Sequence, residues 1–261
     1  MRKHPYHIVD PRPWPLSSSL GAQILLRGLA GWMSQFDIKG NLVNCGILLL
    51  LLSVVQWWRD VNREATLQGK HTSQVENRIR LGVLLFIVSE IFFFASFFWS
   101  FFHASLRPSV ESGSFWPPAE VIPINPFEVP LLNTTVLLSR GATITWAHMS
   151  LLSSNGLESH IGFLCTVLLG VLFSLLQLME YKNSSFTIAD SVYGRTFYLA
   201  TGFHGVHVLI GTIFITVMWW RHSVGHFSRA RHFGFEASAW YWHFVDVVWL
   251  FLFITIYWWG F

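Results

Sequence analysis

Residues 232–261 read HFGFEASAWYWHFVDVVWLFLFITIYWWGF. Beyond Gly234 more than twenty predominantly apolar residues follow one another, enough to cross a bilayer at about 1.5 Å of rise per residue. Three ionisable side chains interrupt the run: Glu236, His243 and Asp246. At about 100° per residue, His243 falls about 20° from Glu236 around the helix and Asp246 about 80°. One stripe therefore carries all three, and Phe, Val, Leu and Trp fill the opposite side. A charge near the bilayer centre costs at least a few kcal/mol, so the stripe must face other protein, water or lipid head groups. Other helices have to supply that environment.

Composition agrees with a bundle of such helices. Of 261 residues, 52% are hydrophobic and only 12% are Asp, Glu, Lys or Arg. An ordinary soluble domain carries about 25% charged residues. The expected fold class is all-α: a polytopic membrane protein of seven spans at about 16–35, 41–58, 81–105, 131–152, 160–179, 196–220 and 234–256. The first span is the weakest, because Gln23, Arg27 and Ser17–Ser19 interrupt it. Residues 107–130 hold Pro108, Pro117, Pro118, Pro123, Pro126 and Pro130, which predicts a structured loop instead of a helix. With no internal repeat and short loops elsewhere, residues 1–261 read as a single domain. Cys45 and Cys165 each lie inside an apolar run and read as packing residues.

Seven spans put the termini on opposite sides. With the N-terminus inside, 11 Lys and Arg residues are internal (Arg2, Lys3, Arg12, Arg59, Arg63, Lys70, Arg78, Arg80, Arg221, Arg229, Arg231). Only Lys39, Arg107, Lys182 and Arg195 would be external, and Arg27 and Arg140 fall in spans. That bias follows the positive-inside rule and places the N-terminus on the inner side. It also accounts for the basic pI without a nucleic-acid partner.

The polar residues inside the spans are the candidate functional groups. Glu90 lies about ten residues from the inner end of its span, close to mid-membrane; hydrogen-bonded packing and a proton relay are both open readings. His204 and His207 are three apart on one helix face, a spacing compatible with metal, but glycines surround them and favour hydrogen-bonded structural histidines. No paired histidines suited to haem, no cysteine-containing copper motif and no phosphate loop is present, so no metal or redox centre is expected in this chain. The run of Phe and Trp over residues 92–102 surrounds its helix and reads as packing bulk. Matching depths predict that His148 approaches Glu236, while Glu90, His243 and Asp246 form a second level with His207 further out. At the inner surface Trp58, Arg59, Arg63, Glu64, His71 and Arg221 are the expected holders of a phospholipid phosphate, since arginine donates paired, charge-assisted hydrogen bonds.

Several motifs resemble one known family. Trp116-Pro117-Pro118, Pro123, Asn125-Pro126 and Glu128-Val129-Pro130-Leu131-Leu132-Asn133-Thr134 resemble its signature loop. So do Ala200-Thr201-Gly202-Phe203-His204-Gly205-Val206-His207-Val208, His232–Glu236 and Trp240–Trp249. Tyr6-His7, Pro13-Trp14-Pro15 and Trp57-Trp58-Arg59-Asp60-Val61 are similar to family members as well. The family is subunit III of cytochrome c oxidase, in its mitochondrially encoded animal form. Met149 and Arg231 stand where a histidine is common in the family.

The resemblance implies a pair of helices and a bundle of five, separated by a lipid-filled cleft. It implies a non-redox core subunit of the oxidase that passes electrons from cytochrome c to dioxygen and pumps protons. The expected partners are catalytic subunit I, subunit II, accessory subunits and membrane phospholipids, with haem and copper in the partner subunits. The expected location is the mitochondrial inner membrane with the N-terminus on the matrix side. The expected roles are stabilising the catalytic subunit, holding phospholipid, offering an oxygen route and supporting proton uptake. Two alternatives stay open: the equivalent subunit of a quinol-oxidising oxidase, and a secondary transporter. The transporter would be expected to show repeated halves, which are not seen.

Overall fold

Inside a membrane every backbone N–H and C=O needs a partner within the chain, and an apolar run supplies one only by coiling into a helix. The computed structural model of the protein describes residues 5–34, 39–108, 110, 113–119 and 121–261. Among them are seven α-helices and no strand: α1 Trp14–Met33, α2 Lys39–Thr66, α3 Ser73–Leu106, α4 Val129–Leu152, α5 Gly156–Asn183, α6 Val192–Ser223 and α7 Phe233–Leu252. A π-helical stretch, Phe253–Trp258, continues α7. Five helices, α2, α3, α5, α6 and α7, are long and apolar enough to cross a membrane. The protein is an all-α polytopic membrane protein.

Local chemistry sets the helix ends. Pro15 and Pro130 sit in the first turns of α1 and α4, where a missing N–H costs no helical hydrogen bond. The Asn155 and Ser191 side chains cap α5 and α6 by accepting from the N–H groups of Glu158 and Gly194. Helices α2 and α3 extend well beyond their apolar cores, so much of the polar segment 59–80 is helical. Leaving the apolar layer does not end a helix when its side chains find polar partners, as they do below.

The chain falls into two compact units, Met1–Ile79 and Arg80–Phe261. In the first, α1 and α2 form an antiparallel pair whose backbones nearly touch. A Cβ on Gly28 would lie 2.7 Å from the Val43 nitrogen, and one on Gly46 would lie 2.5 Å from the Leu25 nitrogen. Helices pack this closely only over small residues.

In the second unit α4 packs on α5 and α7, α5 on α6, and α6 on α7. Helix α7 is the most enclosed, and its Trp242 and Trp249 are fully buried. Trp242 fits a slot that glycines leave open: a Cβ on Gly211 would lie 2.7 Å from the indole, and one on Gly170 3.1 Å. Helix α3 reaches its neighbours through long aromatic side chains, with Phe93 against Phe203 at 5.1 Å and Phe94 against Phe244 at 6.1 Å between ring centres. The proline-rich loop is folded onto the unit's core. Trp116 lies 5.5 Å from both Phe101 and Tyr193, and Val121 is buried.

Candidate functional site

The polar stripe of α7 faces α4. A Cβ on Gly141 would stand 3.1 Å from Asp246 Oδ2 and 4.0 Å from the His243 ring. Immediately before it on α4, Arg140 donates from Nε to Asp246 Oδ1 at 3.2 Å, with its NH2 group also 3.2 Å from that oxygen. Arg140 has no solvent exposure, and its guanidinium lies 4.4 Å from the Trp242 ring centre and 4.7 Å from that of Phe173. His243 Nδ1 is 3.9 Å from Asp246 Oδ2, with the rest of its side chain half exposed. Arg140 was legible in the sequence only as an arginine in a span. Its pairing with a residue 106 positions away had no local signal.

Ten residues earlier on α7, about 15 Å along the axis, a second polar level forms. His148 Nε2 lies 3.2 Å from His232 Nε2, and His232 Nε2 lies 3.4 Å from Glu236 Oε1. Arg80 pairs with the other oxygen of Glu236 at 3.1 Å. His148 and Glu236 thus share one cluster, with His232 interposed. Depth matching points to the two outer residues; His232 and Arg80 precede the apolar runs of α7 and α3, where spacing within a span does not reach them.

A third level links α3 to α6. His207 Nδ1 donates to the Phe203 carbonyl at 2.7 Å, and His207 Nε2 lies 2.7 Å from Glu90 Oε2. With Nδ1 committed as a donor, the His207–Glu90 contact contains one proton, on either the ring or the carboxyl. Glu90 therefore bonds to His207, expected further out, and not to His243 or Asp246. His204 is fully buried and donates from Nε2 to the Val245 carbonyl at 3.3 Å, packed on Trp249 and Phe173. His204 and His207 thus serve different partners and do not converge on one ligand.

The first unit gathers its charges around Glu64. This carboxylate is buried, bonds to Arg12, and lies 3.7 Å from His7 Nε2 and 3.8 Å from Lys70 Nζ. Lys70 also donates to Asp10 at 3.0 Å, and Trp14 Nε1 to Asp60 at 2.7 Å. The Lys70 ammonium, by hydrogen bond and by charge, holds the Asp10 carboxyl below its ordinary range. Burial, helped by the neighbouring His7, pushes the His71 imidazole below its ordinary value, and Glu76 opposes that shift. Arg63 lines a polar hollow with Asp10, Arg12, Asp60, Glu64, Gln68 and Lys70. Trp58 and Arg59 are exposed, and Arg59 pairs with Asp60 at 3.2 Å. Arg221 belongs to the second unit, buried with its guanidinium 4.8 Å from the Phe227 ring centre and NH1 3.8 Å from Met218 Sδ.

Comparison with known proteins places this architecture. The sequence model of the family described as Cytochrome c oxidase subunit III matches residues 4–261. The chain is 58% identical over 257 residues to "Cytochrome c oxidase subunit 3" of Drosophila yakuba, covering 98% of this chain and 97% of that protein. It is 55% identical over 257 residues to the protein of the same name from the shark Scyliorhinus canicula, covering 98% of each. For the turtle Pelomedusa subrufa the identity is 53%, again with 98% of each chain covered. Identity at this level over nearly the whole chain, in a protein with seven α-helices among its described residues, makes the chain a member of the cytochrome c oxidase subunit III family.

Proposed function

We propose that this chain is the non-redox third core subunit of a cytochrome c oxidase in the mitochondrial inner membrane, assembled beside catalytic subunit I and subunit II. The observation that carries the reading is the 58% identity over nearly the whole length of both chains. The polar chemistry supports it. His204 and His207 are committed to the Val245 and Phe203 carbonyls and to Glu90. The haem and copper chemistry is therefore assigned to the partner subunits. This chain's contribution is mechanical and electrostatic: a bundle braced by buried pairs that supports the catalytic subunit.

A second role is retention of phospholipid. Trp58 and Arg59 stand exposed at the polar end of α2, with Arg63 one turn further along. Arg59 and Arg63, four apart on one helix, present guanidinium forks suited to a phosphate, with the Trp58 indole beside the glycerol region. Glu64 and His71 anchor the chain next to this face. Arg221, in the last turn of α6, is assigned to a lipid bound to its own unit.

Cofractionation tests the main reading. Solubilised membranes should carry this chain in the fractions that oxidise ferrocytochrome c with dioxygen. Its recovery with quinol-oxidising activity alone would favour the equivalent subunit of a quinol oxidase. Its recovery free of any oxidase would overturn the assignment.

A further inference from the structure

Two imidazoles and one carboxylate meet where the last turns of α4 approach the start of α7, and the function above makes no use of them as a group. The three facing atoms, His148 Nε2, His232 Nε2 and Glu236 Oε1, lie within 4.8 Å of one another. Two of the separations are 3.2 and 3.4 Å. In a tetrahedral site with metal–ligand bonds of about 2.0–2.1 Å, neighbouring ligand atoms stand about 3.3–3.4 Å apart. Two edges of such a tetrahedron are therefore already formed.

The surroundings orient the ligands. His232 Nδ1 is 3.0 Å from the Ser228 carbonyl, which only accepts, so Nδ1 carries the proton and Nε2 turns its lone pair into the cluster. An imidazole tied back to a backbone carbonyl is the usual support of a metal-bound histidine. Glu236 divides its oxygens: Oε2 takes the Arg80 guanidinium at 3.1 Å, and Oε1 faces His232. His148 and Glu236 are half-buried, which leaves a path for an ion and a fourth position for water.

We propose that His148, His232 and Glu236 form a binding site for a divalent cation of zinc's class. Two nitrogens and one carboxylate oxygen suit zinc, whereas calcium and magnesium take oxygen ligands. The bound ion replaces the proton that otherwise bridges the two imidazoles and ties the end of α4 to the beginning of α7. The charge environment separates this cluster from a second one of the same composition, His7, Glu64 and His71. There the inward carboxylate oxygen already bonds Arg12 and has Lys70 Nζ at 3.8 Å, so a dication would meet two cations at its own ligand. At Glu236 the guanidinium occupies the outer oxygen.

The test uses the full chain in its native complex, stripped with a chelator and then exposed to zinc ions alone. Anomalous diffraction at the zinc edge should show a peak between the three side chains, about 2.0–2.2 Å from each ligand atom. His148→Gln and Glu236→Gln should each abolish that peak, lower bound zinc by one ion per chain, and weaken the remaining affinity at least about tenfold. A zinc-saturated unmodified complex without the peak overturns the proposal, whether or not the variants assemble. A peak that persists at full strength in His148→Gln overturns it as well.

Discussion

Arg140 carries its charge with no solvent exposure, against the Asp246 carboxylate. The rings of Trp242 and Phe173 replace part of the lost hydration, an interaction of up to about 2 kcal/mol when desolvated. Removing one member of a buried ion pair leaves the other charge uncompensated and costs about 3–5 kcal/mol, more than the pair itself contributes. Asp246→Asn is therefore expected to destabilise the protein by about 3–5 kcal/mol in reversible denaturation of the detergent-solubilised complex. The double replacement Arg140→Met with Asp246→Leu should cost less than the sum of the singles. Strictly additive losses would show that the two side chains act independently. The arginine was visible in the sequence as an anomaly, but its partner was not, because helical spacing reports only neighbours on the same helix.

At the scale of the element, the N-terminal segment and the α2–α3 connection are held together by groups that titrate. Thr72 Oγ1 donates to the Pro5 carbonyl at 2.5 Å, and the His7 and His71 rings lie 5.8 Å apart. Burial and the nearby His7 keep the folded His71 below its ordinary value of 6.5. The unfolded chain therefore takes up this proton first as pH falls, and stability declines from about 6.5 down to the lower folded value. Asp10 has the same sign, but its contribution is lost only below its ordinary 3.8, as pH falls through its lowered folded value. Hydrogen-exchange protection over residues 5–12 and 70–72, taken relative to the intrinsic rate at each pH, should fall as pH drops below about 6.5, while the α1–α2 glycine contact stays protected. Replacing His71 by Asn should flatten that dependence; an unchanged profile would assign the effect to another group. The sequence placed Glu64 beside Arg59 and Arg63. The structure turns it toward Arg12, because the segment before α1 folds back along α2 and brings opposite charges to it.

At the scale of the whole molecule, the distribution of 17 Lys and Arg residues predicts orientation. With the N-terminus on the matrix side, protease added to inside-out inner-membrane vesicles should cut within residues 5–12, and protease added to mitoplasts should leave them intact. The reverse pattern would overturn that orientation. Hydrophobicity and length by themselves determined that the chain is helical and membrane-embedded, because an apolar backbone in lipid can satisfy its hydrogen bonds only by coiling. Proline content likewise marked the connection between α3 and α4, since proline has no N–H and excludes the regular helix interior; the last of these prolines, Pro130, opens α4 instead. Tertiary structure alone decided the pairings of Arg140 with Asp246 and of Glu90 with His207, and it placed His232 between His148 and Glu236, which depth along their helices had already matched. It also decided that residues 1–79 pack as a unit of their own. Depth along a helix can be counted from a sequence. Which face meets which neighbour depends on interhelical packing, and contacts such as the slot that Gly170 and Gly211 open for Trp242 join residues far apart in the chain.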